Sequence, residues 1–398
     1  MGPLNIAFVV QRYGAEVTGG AEQHCRAVAR RLAQQHRVTV LTTCALDHST
    51  WNNHYEPGES TVDNVRVLRF SVSRGRSPDF NRFINGFFDR THSRQEEITF
   101  LEKQGPDCPA LLDHLRQCKE DYQVIVFYTY LYSPTVLGLP LVASRAVLVP
   151  TAHDEPPIRL AIFHELFSLP RHLLFLTSTE ESFVRRLFQN HQIPGSVVGM
   201  GIDGPRAEPR PERFRGRFRV SGGFLLYLGR VEAGKGCAEM VDFFVRYKRR
   251  RPDGPTLILL GKVDMPIPNR RDIRALGFVE EQDKWDAIAG ATLLLAPSPY
   301  ESLSISLLEA WSQATPVLAN GRCAVLEEQC LSGNGGLFYT DYAEFEACLD
   351  LLLAHEDLRD TLGGQGRRYV QANYAWDRVV PKWETVLQHV TIPNGETK

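Results

Sequence analysis

The stretch LLLAPSPYESLSISLLEA, residues 293–310, joins a short apolar run to a polar loop and then to a second apolar segment. The run Leu293–Ala296 has the length and composition of a buried strand, and the segment around Leu307–Gln313 is typical of a helix. Glu301 lies in the predicted loop and Glu309 on the predicted helix. Because open parallel sheets bind ligands at the carboxyl ends of their strands, this pair predicts a ligand site. Either glutamate taken singly is better explained as a capping or surface residue.

Short apolar runs alternate with longer amphipathic stretches along the whole chain, which predicts the α/β class with parallel sheets. In the first half, strands are predicted at Ile6–Val10, Val38–Leu41, Val65–Phe70, Val124–Phe127, Ala146–Val149 and Leu173–Leu176, and helices at Ala21–Gln35, Pro109–Lys119 and Glu180–Asn190. In the second half, strands are predicted at Phe224–Leu228, Thr256–Leu260 and Leu293–Ala296, and helices around Cys237–Arg250 and Leu307–Gln313. Each half has the pattern of a doubly wound, Rossmann-like domain. The polar segment Arg74–Pro106 stays unassigned.

A length of 398 residues suggests two domains. Residues 204–219 contain three prolines and six arginines and interrupt any periodicity, as a linker would. We therefore place the first domain at 1–205, the linker at 206–219 and the second domain at 220–375. The net charge of -2 gives no overall attraction to nucleic acid.

The sequence favours a cytoplasmic protein. Its eight cysteines are scattered, with no C-x-x-C pair, so we expect them to be reduced. The apolar run Ile6–Val10 is too short for the core of a signal peptide. Residues 124–143 carry no charge, but Pro134 and Pro140 interrupt them. Because prolines break a helix interior, we expect a strand, a loop and a short helix there. Peripheral contact with the inner face of a membrane is left open.

Two further turns carry residues suited to phosphate groups. Gly14, Gly19 and Gly20 precede a predicted helix, and glycines there let backbone N–H groups approach a phosphate or an acceptor hydroxyl. A plain strand-to-helix turn explains them equally well, and their spacing does not fit the G-x-G-x-x-G of nicotinamide dehydrogenases. Arg230 and Lys235 stand before the next predicted helix, where a guanidinium and an ammonium would suit a diphosphate. Surface cations of this kind are, however, usually solvated.

The order of these motifs resembles that of glycosyltransferase family 4, and the resemblance spans nearly the whole chain. The matching segments are Gly19–Glu22, Thr151–Asp154, Val198–Asp203, Gly229-Arg230 with Lys235-Gly236, the E-x7-E pair Glu301 and Glu309, Thr315–Val317 and Tyr374–Trp376. The resemblance implies a retaining enzyme of GT-B architecture, with two Rossmann-like domains facing a central cleft and a last helix, 376–398, crossing back to the first domain. The usual Gly-Phe-Gly after the first glutamate is replaced by residues 302–304, Ser-Leu-Ser, which leaves the donor sugar open.

The resemblance also implies roles for the matching residues. Arg230 and Lys235 would hold the diphosphate of a nucleotide sugar, Glu301 the transferred sugar and Glu309 the nucleotide ribose. The predicted catalytic residues are His153, Glu301, Arg230 and Lys235. The predicted donor-binding residues are Gly20, Arg230, Lys235, Ser304, Ile305, Ser306, Glu309 and Phe278.

His153 would lie beside the reacting carbon and position the sugar rather than act as a base, although a hydrogen-bonded histidine at a strand end remains a plain alternative. Gly20 would lie near the acceptor or a phosphate. The backbone amides of Ile305 and Ser306 would stabilise the leaving diphosphate electrostatically. No D-x-D occurs in the sequence, so we expect neither a metal nor another cofactor.

The predicted co-substrate is a nucleotide diphosphate sugar of the UDP or GDP type. The acceptor would be a glycan, a lipid-linked sugar or a small molecule, with no nucleic acid partner. One alternative is a non-catalytic nucleotide-sugar-binding or scaffold protein with the same fold. Another is an enzyme acting on free nucleotide sugars, such as an epimerase.

Overall fold

The computed structural model describes residues 2–391, which form two compact units. The first unit comprises the chain up to Gly201 together with the stretch from Val379 onward, and the second comprises Ile202–Arg378. The chain therefore leaves the first unit after Gly201 and returns to it at Val379. Residues 392–398 of the predicted last segment lie outside the described residues.

The first unit is built on an eight-stranded sheet. Its strands are β1 (Asn5–Val9), β2 (Arg37–Thr43), β3 (Gly58–Val62), β4 (Val65–Phe70), β5 (Val124–Tyr128), β6 (Ala146–Val149), β7 (His172–Phe175) and β8 (Gly195–Val197). Their order in the sheet is β3-β4-β2-β1-β5-β6-β7-β8. All neighbours run parallel except β3 and β4, which form an antiparallel hairpin at one edge. The central strand β1 is fully buried from Ile6 to Val9.

The second unit is built on a six-stranded parallel sheet. Its strands are β9 (Phe224–Leu228), β10 (Thr256–Leu260), β11 (Ile273–Gly277), β12 (Leu293–Ala296), β13 (Val317–Asn320) and β14 (Gly336–Tyr339). Their order is β11-β10-β9-β12-β13-β14, with every pair parallel. The inner strands are continuous apolar runs because helices cover a parallel sheet on both faces.

Helices connect the strands in both units. They are α1 (Gly20–Leu32), α2 (Phe80–Ile84), α3 (Arg94–Gln104), α4 (Pro109–Cys118), α5 (Ser133–Gly138), α6 (Ala161–Leu166), α7 (Ser178–Phe188), α8 (Pro211–Phe218), α9 (Cys237–Arg250), α10 (Glu281–Gly290), α11 (Ile305–Ser312), α12 (Ala324–Gly333), α13 (Tyr342–Ala354), α14 (Glu356–Asn373) and α15 (Trp376–Val390). Side-chain oxygens cap the starts of α3, α7 and α13: Ser93, Thr177 and Asp341 each accept a first-turn backbone N–H.

The predicted α/β class with two Rossmann-like domains is confirmed. Each strand predicted from an apolar run is present within a residue or two of its predicted bounds. The pattern did not reveal β3, whose sequence GESTV is polar and exposed because it forms the edge of the sheet. It also did not reveal β8, β11, β13 and β14.

A helix occupies much of the range 206–219, where the sequence predicts a linker. Helix α8 begins at a proline, a residue well suited to the first helical position. Arg213 and Arg217 of α8 form ion pairs with Asp286 and Asp283 of α10, and both carboxylates are buried. Arg213 and Arg217 therefore hold α8 against α10 rather than serve as solvated linker charges.

The unassigned range Arg74–Pro106 forms part of the first unit's core. It contains α2 and α3, and the rings of Phe87 and Phe100 stack with centroids 5.9 Å apart. The indole Nε1 of Trp51 donates a hydrogen bond to the carbonyl oxygen of Gln104, 2.8 Å away. The aromatic residues scattered through this range are therefore core residues.

Helix α15 supplies the first unit with Trp383, which is buried. Its ring centroid lies 6.4 Å from that of Phe8 on β1 and 5.9 Å from that of His24 on α1. Burial lowers the pKa of His24 to about 3, so its imidazole is neutral at physiological pH. In residues 2–391, no helix combines the length and the apolar character that crossing a membrane requires. The uncharged range 124–143 forms β5 and then short helical turns, as expected.

Candidate active site

In the second unit, the loops that follow three neighbouring strands approach one another closely. A Cβ atom added to Gly261, after β10, would lie 2.1 Å from the carbonyl oxygen of Gly229, after β9. A Cβ atom added to Gly236 would lie 2.1 Å from the carbonyl oxygen of Pro297, after β12. Gly261 and Gly236 also have φ values of 134° and 73°. Both positions therefore require glycine, and the contact joins the β9 loop to the loop that contains the first glutamate of the pair.

This arrangement brings Lys235 and Glu301 into contact across 66 residues of sequence. Lys235 Nζ lies 2.9 Å from Glu301 Oε1, and the two side chains are 33% and 19% exposed. Both groups are thus partly open to solvent. The structure therefore places these two predicted catalytic residues together at the carboxyl edge of the sheet.

Arg230 lies in the same loop as Lys235, between β9 and α9. Its Nη1 is 3.3 Å from Glu232 Oε2, and its side chain is 31% exposed. The hydroxyl of Tyr227, at the end of β9, donates a hydrogen bond of 2.7 Å to the carbonyl oxygen of Arg230. This bond fixes the backbone that carries the guanidinium.

Helix α11 begins directly after the loop of Glu301. Ser304 occupies its N-cap position without a side-chain capping bond, and the backbone N–H of Ser304 donates to Gln329 Oε1 of α12 at 3.3 Å. The N–H groups of Ile305 and Ser306 lie in the first turn, where a helix supplies no carbonyl partners of its own. The positive end of the helix dipole lies at these two amides, where it favours negative charge.

Two further predicted donor-binding residues, Glu309 and Phe278, lie on α11 and directly after β11. Glu309 Oε1 forms an ion pair of 2.8 Å with Lys284 Nζ of α10, and the side chain of Glu309 is 17% exposed. Phe278 directly follows β11 and is 66% exposed, which is unusual for a ring of that size. Glu309 therefore pairs with Lys284 of α10, whereas Glu301 pairs with Lys235.

In the first unit, Gly20 begins α1 in a polar setting. Gly19 has φ of 156°, and a Cβ atom there would lie 2.2 Å from the carboxylate of Glu22. Glu22 Oε1 accepts hydrogen bonds from Gln11 Nε2 at 2.9 Å and Arg12 Nη2 at 2.6 Å, and all three side chains are buried. This buried network supports the start of α1. The space beside Gly19 is therefore needed for the packing of Glu22, whether or not a ligand binds there.

His153 follows β6 on a backbone with unusual conformation. Thr151 has φ of 48°, and such left-handed conformations are uncommon for β-branched residues and cluster at functional sites. Between them, Ala152 donates its backbone N–H to Glu180 Oε1 at 2.6 Å, and Leu176 donates to Glu180 Oε2 at 2.7 Å. Burial raises the pKa of Glu180 to about 8 despite these two bonds. Glu180 therefore ties the end of β6 to the end of β7.

A carboxylate and a phenol lie next to the His153 ring. Glu155 Oε1 is 3.5 Å from His153 Nδ1 and accepts a hydrogen bond of 2.6 Å from the hydroxyl of Tyr130. Neither residue was predicted from the sequence: Tyr130 follows a different strand, and Glu155 matches none of the motifs that singled out His153. Lys284 and Gln329 were missed for the same reason. Among residues 2–391, no three His, Cys, Asp or Glu side chains are grouped as a metal site.

Comparisons with known proteins agree with this architecture. Residues 223–355 match the family model described as "Glycosyl transferases group 1". The chain is 23% identical to a D-inositol 3-phosphate glycosyltransferase of Jonesia denitrificans, a match covering 63% of this chain and 64% of that protein. It is also 23% identical to a glycogen synthase of Mycobacterium tuberculosis over 94% of this chain and 92% of the relative.

Solved structures share the fold at low sequence identity. A sucrose-phosphate synthase from Thermosynechococcus elongatus superposes with a TM-score of 0.70 at 16% identity, covering 97% of this chain and 99% of that one. Anabaena HepE, whose structure was determined in complex with UDP-glucose, gives 0.71 at 13% identity, covering 97% and 100%. These likenesses establish the GT-B fold. Together with the family match, they support a glycosyltransferase of that fold.

Proposed function

We propose that the protein is a retaining glycosyltransferase of family 4 that transfers a sugar from a UDP- or GDP-sugar without a metal ion. The contact of Lys235 with Glu301 carries this proposal. A cation and a carboxylate, joined at the carboxyl edge of a parallel sheet beside a helix start, supply groups for both parts of such a donor. The cation suits the diphosphate, and the carboxylate accepts hydrogen bonds from sugar hydroxyls.

The other predicted residues would bind further parts of the same donor. Arg230 and the amides of Ile305 and Ser306 would bind the diphosphate, which gains negative charge as the glycosidic bond breaks. Glu309 would accept from the ribose hydroxyls once its pair with Lys284 rearranges. Binding of UDP-glucose by the structurally similar HepE supports a nucleotide-sugar donor.

The proposed reaction is a substitution with retention. The acceptor hydroxyl attacks the anomeric carbon from the side of the leaving group, the carbon–oxygen bond to the diphosphate breaks, and the departing phosphate takes the acceptor proton. His153 and Gly20 of the first unit would contact substrate. The acceptor would be a glycan, a lipid-linked sugar or a small molecule, in a cytoplasmic reaction with peripheral access to a membrane.

The test is to incubate the purified full-length chain with UDP-, GDP- and ADP-sugars in the presence of a chelator. Release of the nucleoside diphosphate and the anomeric configuration of the product would be followed by NMR. Glu301→Gln should lower kcat/KM about tenfold to a hundredfold, because it removes hydrogen bonds to a charged acceptor. Glu346→Gln is the matched control, since Glu346 also forms an ion pair, here with Arg250, and is 15% exposed against 19% for Glu301.

Loss of all transfer and donor hydrolysis across the panel would refute the proposal. Donor binding without turnover, unchanged by Glu301→Gln, would instead identify a non-catalytic binding or scaffold protein. Inversion at the anomeric carbon would refute the retaining mechanism alone.

A further inference from the structure

The turn after β6 folds a carboxylate back onto the ring of His153. The backbone N–H of Glu155 donates to the carbonyl oxygen of His153 at 2.8 Å, which closes a three-residue turn. Glu155 Oε1 consequently lies 3.5 Å from His153 Nδ1, and the two side chains are only 21% and 26% exposed. The chain thus presents this carboxylate to one particular nitrogen of the imidazole.

Tyr130 anchors that carboxylate through a hydrogen bond. Its hydroxyl donates to the same Oε1 at 2.6 Å, and the residue itself is buried. The phenol ring packs edge-on against Phe163, with centroids 4.8 Å apart. Tyr130 follows Thr129, whose φ of 61° is a second left-handed backbone at this edge of the sheet. Glu155 is therefore held in place by a buried group rather than mobile in solvent.

The hydrogen bond made by one imidazole nitrogen determines which tautomer the ring adopts. A carboxylate beside Nδ1 favours a proton on Nδ1 and leaves a lone pair on Nε2. We infer that Glu155 and Tyr130 are positioning residues that hold His153 as the Nδ1–H tautomer, so that Nε2 accepts a hydrogen bond from a substrate hydroxyl. This inference rests on the proposed function, in which His153 contacts substrate.

The present separation of 3.5 Å is longer than a short hydrogen bond. Hydrogen bonds of catalytic groups tighten in the substrate complex, and here only a small movement of one ring is needed. Asp154, between the two residues, does not compete for the ring: it forms an ion pair with Arg159, and its side chain is 61% exposed. It is therefore the matched control for Glu155.

The tautomer is measured directly by NMR on the full-length chain labelled with ¹⁵N-histidine. His153→Asn identifies the signals of this ring among the twelve histidines. The wild type should show Nδ1 protonated. Glu155→Gln should keep this tautomer, since an amide carbonyl still accepts from Nδ1–H, whereas Glu155→Leu should shift the ring towards Nε2–H. Asp154→Asn should change nothing.

Kinetics separate this inference from the proposed function. In an active enzyme, Glu155→Leu should lower kcat about tenfold to a hundredfold. The KM for the donor should change by less than about threefold. Glu155→Gln should recover most of the lost kcat. An Nδ1–H wild type that transfers no sugar would overturn the proposed function but support the positioning of the ring. A wild-type ring protonated on Nε2, or a Glu155→Leu variant with unchanged tautomer and kcat, would overturn the inference.

Discussion

The Lys235–Glu301 contact leads to a quantitative prediction about donor binding. Because both side chains are partly exposed, the pair itself should contribute only about 0.2–1 kcal/mol to stability. A hydrogen bond from the ammonium to a phosphate should contribute about 1.5–3 kcal/mol to donor binding. Lys235→Met should therefore lower the melting temperature only slightly but raise the Kd for the donor about 10- to 150-fold.

The assay is isothermal titration of the full-length chain with UDP, GDP and their glucose and mannose derivatives. The matched control is Lys103→Met in the first unit: Lys103 Nζ lies 2.9 Å from Asp79 Oδ1, and its side chain is 28% exposed. Each variant loses one positive charge and one ion pair, and the N–O distance is 2.9 Å in both pairs. If Lys235→Met changes the Kd by less than about twofold, or Lys103→Met weakens binding equally, then Lys235 does not bind the diphosphate.

Three further predictions concern stability. Burial raises the pKa of Glu180 to about 8 from 4.5, so its folded state retains a proton that the unfolded state releases. Relative to Glu180→Gln, the wild type should therefore lose stability as pH rises from about 4.5 to 8. Gly236→Ala should cost more than about 1–2 kcal/mol, because φ is 73° and a carbonyl oxygen lies 2.1 Å from the added Cβ, whereas nothing lies within 4 Å at Gly234. Arg213→Met should cost about 3 kcal/mol, because it leaves the buried carboxylate of Asp286 without its guanidinium.

Urea unfolding at several pH values and melting temperatures check these three predictions. Unfolding free energies of the wild type and Glu180→Gln that stay parallel from pH 5 to pH 8 would contradict the first. Equal melting temperatures for Gly236→Ala and Gly234→Ala would contradict the second. For the third, Arg66→Met is the control, since Arg66 and its partner Glu59 are both about half exposed, and a similar cost for both variants would show that burial of the carboxylate is unimportant.

Strands buried on both faces were predictable from sequence. The strands β9, β10 and β12 have their predicted bounds, because a strand covered on both sides reads as an unbroken apolar run. The edge strand β3 was not predictable, since its side chains meet solvent and need no apolar pattern. Helix α8 was missed because its stabilising contacts, with the aspartates of α10, lie more than sixty residues away in sequence.

The sequence did not predict the pairings within the candidate site. The sequence suggests that Lys235 and Glu301 serve the same ligand, yet only the contact between Gly236 and Pro297 shows why they meet. The partners of His153 were beyond prediction. Tyr130 and Glu155 lie in the segments that follow β5 and β6, and their proximity depends on which strands are neighbours in the sheet.

Helix α15 adds the last part of the first unit only after the chain has passed through the second unit. Proteins are made from the amino terminus, and their domains generally fold as they emerge. Here the first unit cannot bury Phe8 and His24 against Trp383 until the ribosome has passed through the entire second unit. The residues that are synthesised first thus make some of their native contacts last. A nascent chain that stalls inside the second unit exposes an apolar surface that chaperones can recognise.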